Sequence, residues 1–118
     1  MADAFHSQDS ESALTEALEH SDDTPVLIYK HSSTCPVSSK AQAEVEDLQT
    51  DASLPVYRVV VQKHRAVSNT IEEALGIRHE TPQVILLHEQ EPAFDTSHFD
   101  VTADTLRDEL QRLPVSSE

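Results

Sequence analysis

The sequence predicts an α/β domain: a central four-stranded mixed sheet in the order β-α-β-α-β-β-α, with an extra N-terminal helix in front of it. Three observations point there. Val26-Leu27-Ile28-Tyr29, Val56-Tyr57-Arg58-Val59-Val60-Val61 and Val84-Ile85-Leu86-Leu87 are apolar or β-branched runs of strand length. Stretches whose apolar residues recur at helical spacing separate them. A last short run containing Pro92 suits a sheet edge, where a missing N–H costs no ladder bond.

Residues 1–9 are polar and are expected to fray, leaving a single domain over 10–114. Over 10–20, Ala13, Leu14, Ala17 and Leu18 form a narrow helical stripe with Ser10 as its cap. Ser21-Asp22-Asp23-Thr24-Pro25 breaks that pattern before a first strand at 25–30, whose unbroken apolar run suits a central strand covered on both faces. A helix over 36–48 follows, with Val37, Ala41, Val45 and Leu48 on one face. Pro36 opens it, because a fixed φ fits the first turn and the missing N–H has no intrahelical partner there. Residues 49–55 read as a loop, 56–61 as the second strand and 62–65 as a connection. Val67, Ile71, Ala74 and Leu75 mark a shorter helix, closed by the chain's only glycine, Gly76, as a left-handed C-cap. The segment 77–81 leads through Pro82 to a third strand at 84–87, and Glu89-Gln90-Glu91 turns the chain into a fourth at 92–95. Thr102 caps a last helix with Leu106, Leu110 and Leu113 on its buried face, and Pro114 stops it. Two right-handed βαβ-type connections would build the parallel part of the sheet, and the final hairpin an antiparallel edge.

Composition narrows the partners. A formal net charge of −14 argues against nucleic acid, which needs a basic footprint, and the eight basic residues are scattered. A solvated acidic surface, of the kind suited to a high-salt cytosol, is the expected meaning of that charge. No apolar run approaches the ~20 residues of a membrane span. Met1-Ala2-Asp3-Ala4-Phe5-His6 lacks the basic and apolar regions of a signal peptide, so a cytoplasmic location is expected.

One cysteine excludes an internal disulfide. A lone thiol in a reducing compartment is most often a buried small hydrophobe. Cys35, however, stands before a proline where a strand hands over to a helix. At the N-cap it would face unpaired amides and the positive end of the helix dipole, which favour a thiolate: a free thiol has a pKa of ~8.5, and such surroundings lower it. Lys30 and His31, just upstream, would add to the effect. Cys35-Pro36-Val37-Ser38 has the C-x-x-S form, which puts Ser38 one turn along, within reach of the sulfur. Serine cannot resolve a mixed disulfide but can donate a hydrogen bond to a thiolate, so monothiol exchange with a second thiol from elsewhere is the expected chemistry. C-x-x-S alone recurs by chance in many chains; its setting gives it meaning. Pro82 would sit opposite the cysteine, and as a cis proline it would leave the backbone of Thr81 free to pair with a bound chain.

The element string, with a cysteine after the first strand and a proline before the third, resembles the thioredoxin-like fold. Four blocks in order resemble the YtxJ-type monothiol bacilliredoxins: His31-Ser32-Ser33-Thr34-Cys35-Pro36-Val37-Ser38, His64-Arg65-Ala66-Val67-Ser68-Asn69, His79-Glu80-Thr81-Pro82-Gln83 and Ser97-His98-Phe99-Asp100-Val101-Thr102. The resemblance runs from about Val26 to Leu113. It implies removal of bacillithiol, a small cysteinyl sugar thiol, from S-thiolated proteins, with Cys35 as nucleophile, Pro82 as the cis proline and bacillithiol as co-substrate; no tightly bound cofactor is expected. Thiolate support is then expected from Lys30, His31, Thr34, Pro36 and Ser38, and substrate binding from Arg65, His79, Thr81, Pro82 and His98. Thr81 stands where the family commonly has serine, and Glu89-Gln90-Glu91 where its hairpin turn often has glycine.

Two other readings stay open: an iron–sulfur carrier of the monothiol glutaredoxin type, and a non-catalytic thioredoxin-like binding module. A Cys/His metal site from Cys35, His31, His79 or His98 lacks any C-x-x-C or H-x-x-x-H spacing, so no metal is expected. A peroxidase fits poorly, since Ser32 rather than threonine stands three residues before Cys35 and there is no resolving cysteine.

Overall fold

The computed structural model describes residues 5–7, 11–34, 36–52 and 54–113. Ser10 as a cap, Cys35 as the nucleophile and Pro114 as a helix stop fall outside them. The elements are β1 (Phe5–Ser7), α1 (Glu11–His20), β2 (Val26–His31), α2 (Pro36–Ala52), β3 (Val56–Val60), α3 (Arg65–Leu75), β4 (Gln83–His88), β5 (Glu91–Ser97), a 3-10 turn at His98–Asp100 and α4 (Ala103–Arg112).

The sheet runs β1-β3-β2-β4-β5. Strands β2 to β5 are the four expected ones. A fifth lies in the segment expected to fray: Phe5, His6 and Ser7 pair in parallel with Val56, Tyr57 and Arg58. Without it the backbone groups along that side of β3 would form an open edge.

The parallel part is built differently from expectation. Strand β3 is parallel to β2, as predicted, but β4 is antiparallel to β2, so the connection through α3 does not make a parallel neighbour. Residues 76–82 can extend about 23 Å, enough to carry the chain back along α3, about 16 Å long, before β4 begins. This path puts Gln83 opposite Lys30 and Leu87 opposite Val26. Thr81 and Pro82 therefore lie beside the carboxyl end of β2.

Each face of the sheet carries one core. Leu27, Tyr29, Val56, Val84 and Leu86 pack with Ala41, Val45 and Leu48 of α2 and Ala103 and Leu106 of α4. Val26, Ile28, Tyr57, Val59, Ile85 and Leu87 pack with Leu14 and Ala17 of α1 and Val67 and Ile71 of α3. The alternation along β2 and β4 follows from successive side chains pointing to opposite faces.

One boundary and two buried faces differ from expectation. Helix α2 continues through 49–52, expected as loop, because no helix breaker occurs before Pro55; the Gln49 side chain then donates to the Leu54 carbonyl at 2.9 Å. In α3 the buried face is Val67, Ser68 and Ile71, while Ala74 is exposed. Leu110 and Leu113 lie half-buried against the α2–α4 core rather than fully inside it.

Gly76 caps α3 at φ 69°, and its N–H donates to the Glu72 carbonyl at 2.9 Å. Thr102 caps α4, its hydroxyl accepting from the Thr105 N–H at 3.2 Å. In the last hairpin, Glu89 and Gln90 both take positive φ without glycine. The turn is buttressed from the end of α1: Ser21 accepts the Glu89 and Gln90 amides at its carbonyl and hydroxyl, and Gln90 donates to Asp22.

Candidate active site

Strand β2 ends at His31 and α2 begins at Pro36, so Ser32, Ser33 and Thr34 follow the carboxyl end of β2. Of these Ser32 is buried and Ser33 and Thr34 are exposed, as is Pro36 at the start of α2. The Ser32 N–H donates to the Ser38 hydroxyl at 3.2 Å, and Ser38 is fully buried. That bond ties the start of the segment to the first turn of α2.

His31 and Tyr29 lie on the α2 face. The Tyr29 hydroxyl donates to the Ser38 carbonyl at 2.8 Å and meets His31 Nδ1 at 2.7 Å. A carbonyl can only accept, so the phenolic proton goes to Ser38 and His31 Nδ1 carries its own hydrogen. Burial first, then Arg58, pulls the His31 pKa below its ordinary value, which keeps the ring neutral at pH 7.

Lys30 points the other way, into the face covered by α1 and α3, and is fully buried. Its Nζ meets His79 Nδ1 at 3.2 Å, and the same nitrogen lies 3.0 Å from the Ser68 hydroxyl. The His79 N–H donates to Glu72 Oε2 at 3.2 Å, so α3 grips the 77–82 segment. Burial lowers Lys30 to about 8, against an opposing pull from Glu72. The His79 pKa is also lowered, first by burial and then by Lys30 and Arg65. Positive charge on the histidines is thus not what His31 and His79 bring at neutral pH. Lys30 is separated from His31 by the sheet, so these two thiolate-support candidates act from opposite faces.

The Thr81–Pro82 peptide is cis. Thr81 is half-buried and Pro82 buried. The His98 N–H donates to the Pro82 carbonyl at 2.8 Å, and His98 Nε2 lies 3.5 Å from Glu80 Oε1. His98 adopts φ 58°. Gln83, next to it, is buried and donates to the Arg78 carbonyl at 2.8 Å. Arg65 is exposed at the start of α3. Register thus brings Thr81, Pro82 and His98 together beside the segment that leads from β2 into Cys35, and His79 with Lys30 directly beneath.

Three polar residues outside the predicted set also belong here. Ser68 and Glu72 hold His79, and Gln62 bonds to Ser32, Ser33 and Thr34. A signal existed for Ser68, a polar residue at a position of α3 that faces the core. Gln62 gave none beyond following a strand paired in parallel with β2. The predicted histidines have separate partners: Tyr29 for His31, Lys30 and Ser68 for His79, Glu80 for His98. Among the described residues no three His, Cys, Asp or Glu side chains are placed to hold a metal ion, and no helix is long and apolar enough to cross a membrane.

A family model described as "Monothiol bacilliredoxin BrxC" matches residues 7–106. Among solved structures, a thioredoxin-fold protein provisionally assigned as an oxidoreductase superposes with a TM-score of 0.84 at 24% identity, covering 90% of this chain and 93% of its own. A mutant thioredoxin from Halobacterium salinarum NRC-1 gives 0.75 at 18% identity, covering 100% and 99%. Thioredoxin from Fasciola hepatica gives 0.75 at 11%, covering 92% and 98%. These likenesses show a thioredoxin fold.

Proposed function

The chain belongs to the monothiol bacilliredoxin family, and we propose that it is a thiol-disulfide oxidoreductase in which Cys35 removes bacillithiol from protein mixed disulfides. The Cys35 thiolate attacks the bacillithiol sulfur of the mixed disulfide. A new Cys35–bacillithiol disulfide forms, the old S–S bond breaks, and the substrate protein leaves as a thiolate that takes a proton from water. A second bacillithiol thiolate then attacks the bacillithiol sulfur on Cys35. This regenerates the Cys35 thiolate and releases bacillithiol disulfide; each step breaks one S–S bond and forms one, so one mixed disulfide and one free bacillithiol become one protein thiol and one bacillithiol disulfide.

The observation that carries this reading is the meeting of two segments at the carboxyl end of β2. One is 32–34, which leads into Cys35; the other is Thr81–Pro82, brought there by the Lys30–Gln83 register. In this role the Thr81 backbone docks the substrate chain beside the disulfide, with His98 holding the Pro82 carbonyl. Arg65, exposed at the head of α3, offers charge to carboxylates on the small thiol. His79, with Lys30 behind it, fixes the docking segment from below. His31 and Ser38 support the thiolate side, joined through Tyr29.

Mass spectrometry tests the reaction. After incubation with a bacillithiol-capped substrate protein, the wild type gains the mass of one bacillithiol on Cys35 and the substrate loses it. Cys35→Ala gains nothing. An unchanged wild-type mass with the substrate still capped contradicts the proposal.

A further inference from the structure

Gln62 and the segment before Cys35 leave the sheet side by side, because the Val61 N–H donates to the His31 carbonyl at 2.9 Å. Three contacts follow from one exposed side chain. Gln62 Oε1 accepts the Ser33 N–H at 3.1 Å, and Nε2 donates to the Ser32 hydroxyl at 2.7 Å and the Thr34 hydroxyl at 3.2 Å. The orientation of the amide is forced. A backbone N–H can only donate, so the oxygen must face Ser33 and the NH2 group must face the two hydroxyls.

Both hydroxyl oxygens are therefore acceptors, and their own protons remain to be given. They lie 3.4 Å apart, so one can donate to the other, and the second proton has no acceptor among the described residues. Ser38 is in the same position: its oxygen accepts the Ser32 N–H, which leaves its proton to be given. Cys35 stands in the chain between these groups. Among the described residues, the partners in these bonds are all uncharged.

We infer that Gln62 is a positioning residue: it fixes the 32–34 segment and presets the Ser32–Thr34 hydroxyl pair to give one proton to an anion at Cys35. This rests on the reading of Cys35 as the nucleophile. Hydrogen bonds to the charged form favour it, so the effect is a more acidic thiol and a better leaving group when Cys35 is released from its mixed disulfide.

The test is the Cys35 thiol pKa, from thiolate absorbance against pH, in wild type, Gln62→Ala, Gln62→Glu, Thr34→Val and the Gln62→Ala/Thr34→Val double variant, with Tm alongside. Gln62→Ala is expected to raise the pKa by about one, roughly a tenfold loss of thiolate at pH values below both. Gln62→Glu keeps an acceptor for Ser33 but draws the hydroxyl protons onto its carboxylate, so it raises the pKa at least as far while sparing Tm. Thr34→Val raises the pKa in wild type and adds little in Gln62→Ala. Unmoved pKa values, or additive effects of the two substitutions, overturn the inference even if Tm falls. A wild-type pKa near that of a free thiol would instead defeat the nucleophile reading itself.

Discussion

A lysine enclosed in the sheet gives this chain its clearest pH signature. Lys30 ends an apolar run, and its ammonium meets His79 at 3.2 Å with no exposure to solvent. Burial brings its pKa to about 8 from 10.5. Below about 8 the group is charged in both the folded and unfolded states, so the cost of burying it is fully present. Between about 8 and 10.5 the folded state gives up its proton first, and stability rises with pH. Lys30→Met removes this cost, on the order of 3 kcal/mol from proton linkage alone. In urea denaturation the variant's advantage should be largest at neutral pH and shrink toward pH 10.5; a difference that does not change with pH contradicts the burial account. The histidines act in the same direction at lower pH. His31 and His79, both lowered, take up protons less readily than in the unfolded chain, so acidification below 6.5 favours unfolding.

At the scale of elements, the strands and helices were readable because apolar periodicity sets them. Val26-Leu27-Ile28-Tyr29 and Val84-Ile85-Leu86-Leu87 sit at the sheet centre as their composition required, and Gly76 and Thr102 cap the helices they were expected to cap. What was not readable depends on paths and partners rather than on local pattern. Strand β1 has three residues and draws its stability from the open side of β3. The direction of β4 is set by where 76–82 runs, which no residue type encodes. Gln62 is an ordinary polar residue in a connection until register places it against Ser32, Ser33 and Thr34. The turn at Glu89 and Gln90 manages without glycine because Ser21 and Asp22, far away in sequence, bond to it. Gly76→Ala isolates one local rule. A Cβ there would meet nothing within 4 Å, so only the left-handed backbone at φ 69° is penalised. A loss of about 1 kcal/mol in urea denaturation is expected; no loss would mean the cap is not held in that conformation.

For the whole molecule, a net charge of −14 on 118 residues makes self-repulsion a general term. Ion pairs such as Lys40–Glu44, Arg107–Asp47 and Arg112–Glu109 are partly exposed and offset little of it. Screening shortens the range of that repulsion from about 10 Å at 0.1 M salt to about 3 Å at 1 M. Tm should therefore climb between dilute and molar potassium chloride; a flat or falling Tm would mean the acidic surface is not a burden that salt relieves. The proposed chemistry depends on the acidity of one sulfur, which we ascribe to its place in the sequence just before the helix that starts at Pro36. The rate of Cys35 alkylation by iodoacetamide, followed against pH on the wild-type chain, measures that acidity directly. The account predicts a midpoint well below the ~8.5 of a free thiol, with alkylation already fast at neutral pH, and a midpoint at or above the free-thiol value would contradict it.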